Sequence, residues 1–200
     1  MSIPPQAHEA TRRRLSERRA ATVARLAGAA IDELAASGYE ALTVRGVARR
    51  AGVSPATAYT YFTSKAHLVA EVFWRRLAAL PDPPAEPALP GATRVAAALR
   101  DLATMVASEP QLAAACAPAL LGADPDVAVL RDRIGAELHR RLLAAVTGGG
   151  PATAADAEAV AALDFMVAGA LLRAGMGHMS YGDLADRLAA LAPLVVGDRP

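Results

Sequence analysis

The 200-residue chain has little to work with chemically: one cysteine, one tryptophan, three phenylalanines and four tyrosines. Among its 21 basic residues only Lys65 is a lysine. A single thiol, Cys116, excludes an internal disulfide and a zinc site built on paired cysteines, and is compatible with a reducing cytoplasm. No uninterrupted apolar run approaches the ~18 residues that a membrane span needs. The segment 1–19 carries Arg12-Arg13-Arg14 without the apolar stretch of a signal peptide, so a cytoplasmic protein without a membrane partner is expected. His139 and His178 stand alone, and with Asp164 or Cys116 they make no metal-ligand spacing. There is no glycine-rich phosphate loop and no paired-carboxylate pattern. Cys116 with a distant histidine is no catalytic signature. The expectation is a protein that is not an enzyme and uses neither cofactor nor metal.

What is abundant is alanine. The chain has 51 of them within a hydrophobic share of 54%. Alanine is the best helix former, and aromatic and β-branched runs are sparse, so the composition predicts an all-α protein. The net charge of +1 argues at first sight against a nucleic-acid partner. Its distribution argues the other way. Residues 1–76 hold twelve basic and six acidic side chains, a net +6, and residues 77–200 hold nine basic and fourteen acidic, a net −5. The chain is a basic head on an acidic body.

Periodicity and breakers divide the chain into about nine helices. Residues 1–15 lack apolar periodicity, contain Pro4-Pro5 and the arginine triplet, and read as a flexible basic arm. From about Ser16 to Ser37 the positions Val23, Leu26, Ala27, Ala30, Ile31 and Leu34 recur at steps of three and four, with Gly38 closing the helix. Thr43, Ser54 and Ser64 are N-cap signals for three further helices, Pro55 standing at the first position of the middle one. Residues 16–80 thus form a head, and the proline-rich stretch 81–90 is a linker that cannot continue a helix. Beyond it, helices are predicted at about 92–108, 110–121, 125–146, 154–176 and 181–196. Thr153 with Asp156, and Ser180 with Asp183, resemble capping boxes.

The segment from Thr43 to Lys65 reads T-V-R-G-V-A-R-R-A-G-V-S-P-A-T-A-Y-T-Y-F-T-S-K. Helix, glycine-containing turn and short second helix fit a helix-turn-helix, whose second helix places its N-terminal residues in the major groove. Pro55, Ala56, Thr57 and Thr60 are small or hydroxylated and can approach bases or a thymine methyl. Tyr59, Tyr61 and Lys65 are sized for phosphates flanking the groove, and the free N–H groups behind Thr43 and Ser54 can also meet phosphate. Arg45 is a further candidate, Arg49 a weaker one, and the Arg12-Arg13-Arg14 arm could track the backbone or minor groove. Val47, Ala48, Val53, Ala58, Phe62 and Leu68 read as the head's core.

This run resembles the DNA-binding signature of the TetR family of bacterial transcriptional repressors, matching its pattern at Thr43, Val47, Ala48, Ala51, Gly52, Val53, Ser54, Ala56, Thr57, Tyr59, Tyr61, Phe62, Ser64, Lys65 and Leu68. Ala56 stands where the family commonly has glycine. The proline-rich linker departs from its usual join between fourth and fifth helices. The resemblance implies a repressor of a palindromic double-stranded operator. It also implies a phosphate-binding role for Lys65 and a ligand-sensing, dimerising domain over residues 91–200. The last two long helices would then pair across a two-fold axis; Val160, Leu163, Val167, Leu171, Leu184, Leu188 and Leu191 are the stripes assigned to that homodimer contact, with Ala161, Ala168, Gly169 and Ala170 small enough to permit close helix approach. A small, mostly apolar effector is expected among Leu102, Met105, Val106, Leu112, Cys116, Leu120, Leu138, Leu142, Phe165, Met166 and Arg173. Arg173 among apolar residues calls for a partner, either Asp164 or an anionic effector. The alternatives are an activator, a regulator whose body only dimerises, a flexible tether at 81–90, and, remotely, a small helical enzyme.

Overall fold

The first helix sets the frame. α1 (Pro5–Ala41) carries Leu26, Ala30 and Leu34 on the face it buries, and Gly38, at φ 73°, turns its last residues out of the helical path. A residue with a Cβ resists that backbone, so the helix ends where the glycine stands. The computed structural model describes residues 5–84 and 86–197, with side chains from Glu17 onward. The backbone is helical from Pro5, well before the expected start near Ser16, so residues 5–15 do not stand apart as an irregular arm. Proline is favoured at a first helical position, and the residues from Gln6 to Arg14 contain no further glycine or proline to stop propagation. The arginine triplet's side chains and residues 1–4 lie outside the described residues.

Three short helices complete the head: α2 (Val44–Arg50), α3 (Pro55–Tyr61) and α4 (Lys65–Ala78). Each begins at the hydroxyl read from the sequence, since Thr43, Ser54 and Ser64 accept from the N–H groups of Gly46, Thr57 and His67. Val47, Ala48, Ala58, Phe62 and Leu68 are buried together against α1, while Val53 packs half-buried beside them.

The body follows as α5 (Gly91–Ser108), α6 (Pro110–Leu121), α7 (Pro125–Thr147), α8 (Ala154–Gly175) and α9 (Leu184–Val196), the last entered through a short 3-10 turn at Tyr181–Asp183. Thr153 and Asp156 form a reciprocal capping box, and Ser180 caps the 3-10 turn. α9 lies along α5, α7 along α8, and α4 runs into the body against α6 and α7. One continuous apolar core therefore joins head and body. Among the described residues no single helix is long and apolar enough to cross a membrane.

The proline-rich segment is fastened rather than free. Prolines remove N–H donors, leaving carbonyls that need partners. Two arginines supply them. Arg94, 2% exposed, donates to the carbonyl of Leu89 and also to those of Ala145 and Val146, both at 2.9 Å. Arg141, 7% exposed, donates to the carbonyls of Leu80 and Pro81. Arg140 pairs with Asp82 at 2.7 Å, and Pro83 is buried. The carbonyls of Ala145 and Val146 belong to the last turn of α7, so Arg94 also serves as a cationic cap there. Gly148 makes this possible: at φ 61° it ends α7, and a Cβ in its place would lie 3.0 Å from the Arg94 guanidinium carbon.

Candidate nucleic-acid interface and body cavity

α3 turns one side to the core through Ala58 and the rest to solvent. Pro55, Ala56, Thr57, Tyr59 and Thr60 are exposed, and Tyr61 is half-buried against Phe62. Ser54 Oγ accepts from the Thr57 N–H at 3.1 Å and lies 2.8 Å from Thr57 Oγ1. The two hydroxyls thus hold each other in fixed rotamers at the start of the helix. Thr60, exposed, donates its hydroxyl back to the carbonyl of Ala56 at 3.0 Å. Thr43 caps α2 in the same manner, at 3.0 Å from the Gly46 N–H. In α2, Arg50 is tied to Glu33 at 2.7 Å, whereas Arg45 and Arg49 are exposed.

Lys65 is engaged inside the head. Its Nζ donates to the carbonyls of Tyr39 and Glu40 at 3.0 and 3.2 Å and sits 4.4 Å from the centre of the Tyr39 ring. It therefore binds the last residues of α1, those beyond Gly38, to the start of α4. The neighbouring polar contacts join head to body. Ser64 Oγ donates to Asp124 Oδ2 at 2.6 Å, and Thr63 Oγ1 donates to Asp126 Oδ2 at 2.7 Å. The Ser64 hydroxyl holds the Asp124 carboxyl below its ordinary value, helped by the N–H groups of Asp126 and Val127. Beneath them Ala70 of α4 packs on Val127 and Leu130 of α7. These aspartates were missed from the sequence; the signal was Asp124-Pro125, an N-cap followed by proline, but nothing local tells which hydroxyls it meets.

In the body, α4, α6, α7, α8 and the 3-10 turn line a half-open cavity of about 370 Å³, within the range of small-molecule sites. Its walls are Phe73, Ala113, Cys116, Ala117, Leu120, Leu121, Ile134, Leu138, Asp164, Val167, Ala168, Leu171, Leu172 and Tyr181. Of the residues expected to meet an effector, Cys116, Leu120 and Leu138 are there. Leu102, Val106, Leu112 and Leu142 are instead buried core, and Met105 and Met166 pack half-buried beside it. Phe165 is 80% exposed and Arg173 is exposed, so neither lines the cavity. The expected need of Arg173 for a buried partner disappears with its exposure, and Asp164 bonds to His139 Nδ1 at 2.8 Å. Burial pushes the Cys116 thiol up to about 12, which keeps it protonated and unreactive. Among the described residues no group of three or more His, Cys, Asp or Glu could hold a metal ion.

The stripes assigned to dimer contact need the same correction. Val160, Leu163, Val167, Leu184 and Leu188 are buried within the protomer and Leu171 is half-buried; of that set Leu191 alone is exposed. The outward faces carry Ala161 and Phe165 on α8, Met176 just past its end, and Leu191 and Leu194 on α9, while Ala168 and Leu172 reach solvent at the edge of the cavity. α8 is apolar on two sides, so its period fixes the spacing of a stripe but not which stripe meets the core.

A capped, exposed short helix set on a buried helical tripod, with a basic head and a cavity-bearing body, defines a helix-turn-helix DNA-binding regulator. Residues 26–72 match the family described as bacterial regulatory proteins, tetR family. An uncharacterized HTH-type transcriptional regulator of Mycobacterium tuberculosis, Rv0767c, is 45% identical over 96% of this chain and 87% of its own. The HTH-type transcriptional repressor KstR of Rhodococcus jostii is 32% identical over 80% of this chain and 76% of its own. The crystal structure of a TetR transcriptional regulator from Rhodococcus sp. RHA1 superposes with a TM-score of 0.73 at 21% identity, covering 92% of this chain and 99% of that one. The chain belongs to the TetR family of transcriptional regulators, and is a DNA-binding regulator rather than an enzyme.

Proposed function

We propose that this chain is a homodimeric repressor that leaves a palindromic operator when a small, mostly apolar effector fills the body cavity. The observation that carries this reading is a shared wall: Phe73 of α4 lines the cavity, and α4 begins at Ser64, beside the reading helix. Leu120 and Leu121 line it too, and the turn that follows them leads into the start of α7, where Asp124 and Asp126 hold Ser64 and Thr63. A molecule that displaces these walls moves the seat of α4, provided it binds the two arrangements with different affinity. The outward apolar faces of α8 and α9 supply a self-complementary surface for a two-fold pair, which would set two copies of α3 about 34–36 Å apart. Base contacts fall to Pro55, Ala56, Thr57 and Thr60. Phosphate contacts fall to Thr43, Ser54, Tyr59, Tyr61, Arg45 and Lys65, whose ammonium keeps a third donor beyond the two engaged on carbonyls. The protein would act in the cytoplasm, at the nucleoid when on its operator.

The deciding experiment selects genomic DNA with the purified protein and then screens small molecules for release of the selected fragment in a mobility-shift assay. An inverted repeat, bound by a dimer and released by an apolar compound, is expected. Binding without any inverted repeat, or retention of DNA by a protein whose cavity is demonstrably occupied, would overturn the reading.

A further inference from the structure

The cavity has a chemical polarity of its own. Thirteen of its fourteen lining side chains are apolar or carry a neutral thiol or phenol, and Asp164 is the one among them that is charged at neutral pH. The other two polar groups, the Cys116 thiol and the Tyr181 phenol, are neutral at neutral pH, and burial raises both further. Asp164 is half-exposed, on the same side of α8 as Ala168 and Leu172, which line the cavity and also reach solvent. The carboxylate therefore stands at the mouth, with the hydrocarbon walls behind it. His139 approaches one of its oxygens at 2.8 Å. A carboxylate can accept at about four sites, so this contact orients the group while leaving it able to accept from a ligand.

We infer that the effector is a lipophilic molecule with a hydrogen-bond-donating head, a hydroxyl or an ammonium, seated at Asp164, and that carboxylate-headed lipids are excluded. The inference rests on the reading of the cavity as the effector site. A donor head at the mouth exchanges water for a charged acceptor, and the hydrocarbon body fills the apolar interior. An anionic head would meet the like charge of Asp164 at the mouth, or would lose its hydration in walls that offer no charge to balance it.

Three straight-chain probes of equal length separate the possibilities: decanol, decylammonium and decanoate, each displacing the neutral fluorescent reporter N-phenylnaphthylamine from the full-length protein. Decanol and decylammonium should compete at concentrations at least about tenfold below decanoate, as expected for one partly screened charge. The order of the first two tells whether hydroxyl or ammonium is preferred. Asp164→Asn should bring decanoate to within about threefold of decanol, and Asp164→Glu should keep the gap. Helical circular dichroism checks that both variants fold, and if the Asn variant does not, the wild-type series decides. Equal competition by all three heads would overturn the donor-head inference and leave the cavity reading standing. Failure of the reporter to bind, or binding that survives filling the cavity by Ala117→Trp, would overturn both.

Discussion

Ser64 Oγ donates to Asp124 Oδ2 at 2.6 Å, so the residue that caps α4 is held by the residue that caps α7. Removing Asp124 takes away a helix cap and one of the ties between reading head and body in one substitution. Asp124→Ala should cost about 1 kcal/mol, the usual value of a cap. The cost should depend on pH. The Ser64 hydroxyl lowers the folded-state pKa below the ordinary 3.8, so the carboxylate stabilises the fold at neutral pH and that contribution fades as protons are added in acid. Urea denaturation of wild type and variant should show a constant difference from pH 7 down to about 5 and a shrinking one below about 4. A difference that grows in acid would contradict the assignment.

The head was legible in the sequence because its signals are local. Thr43, Ser54 and Ser64 each cap the helix that follows them, and Gly38 ends the helix before them, each through contacts only a few residues away in the chain. The body was legible only as a set of helices. Leu163 and Phe165 are two residues apart on one alanine-rich helix, yet one is fully buried and the other 80% exposed. With apolar residues on both sides of α8, hydropathy cannot choose between them; the packing of α7 and α9 does. The arginines failed for the same reason in reverse. Arg173 reads as buried from its apolar neighbours and is exposed, while Arg94 and Arg141 are buried with no local signal that marks them. Their donors go to carbonyls around the proline-rich segment, those of Leu80, Pro81 and Leu89, and, for Arg94, to those of Ala145 and Val146 in the last turn of α7.

Lys65 and Thr57 separate two kinds of DNA contact. Two of the three Lys65 donors are engaged on the carbonyls of Tyr39 and Glu40, which aims the ammonium. Lys65→Ala should therefore lower thermal stability and also reduce the slope of log affinity against log salt by about one unit, across DNA sequences. An unchanged slope with lowered stability would confine Lys65 to the turn. Thr57→Val removes the hydroxyl that meets Ser54 Oγ at 2.8 Å on the exposed side of α3. It should shift the preferred operator sequence and leave the salt slope alone, measured on a library of single-base operator variants.

Two substitutions on α8 should divide packing from assembly. Phe165→Glu places a charge on an outward position, where the protomer's own fold has no use for the ring. It should give a monomer by light scattering with unchanged helicity, because a charge desolvated at a two-fold contact meets its own copy. Leu163→Ala acts inside the protomer and should cost about 2–5 kcal/mol in denaturant unfolding while the folded fraction stays dimeric. If Phe165→Glu left the mass unchanged, the outward face of α8 would not be the dimer surface.

Arg94 and Arg141 should decide whether the segment 81–90 behaves as a strap or as a tether. Each guanidinium is buried and holds carbonyls from that segment, Arg94 that of Leu89 and Arg141 those of Leu80 and Pro81. Deleting either side chain releases the partly exposed carbonyls of the segment, and deleting Arg94 also leaves the buried carbonyls of Ala145 and Val146 without that donor, at about 1–3 kcal/mol for each buried group left unsatisfied. The backbone between them should then open locally before the helices unfold, since it has few other hydrogen bonds to hold it. Elastase, which cuts after alanine, should cleave at Ala88 slowly in the wild type and much faster in Arg94→Ala and Arg141→Ala, under conditions where circular dichroism still reports intact helices. Equal cleavage rates in all three proteins would show that the prolines alone keep the segment closed. Fast cleavage already in the wild type would mean that α4 is tied to the body through its own packing, the Ser64–Asp124 and Thr63–Asp126 contacts and the Arg76–Glu109 ion pair rather than through the segment.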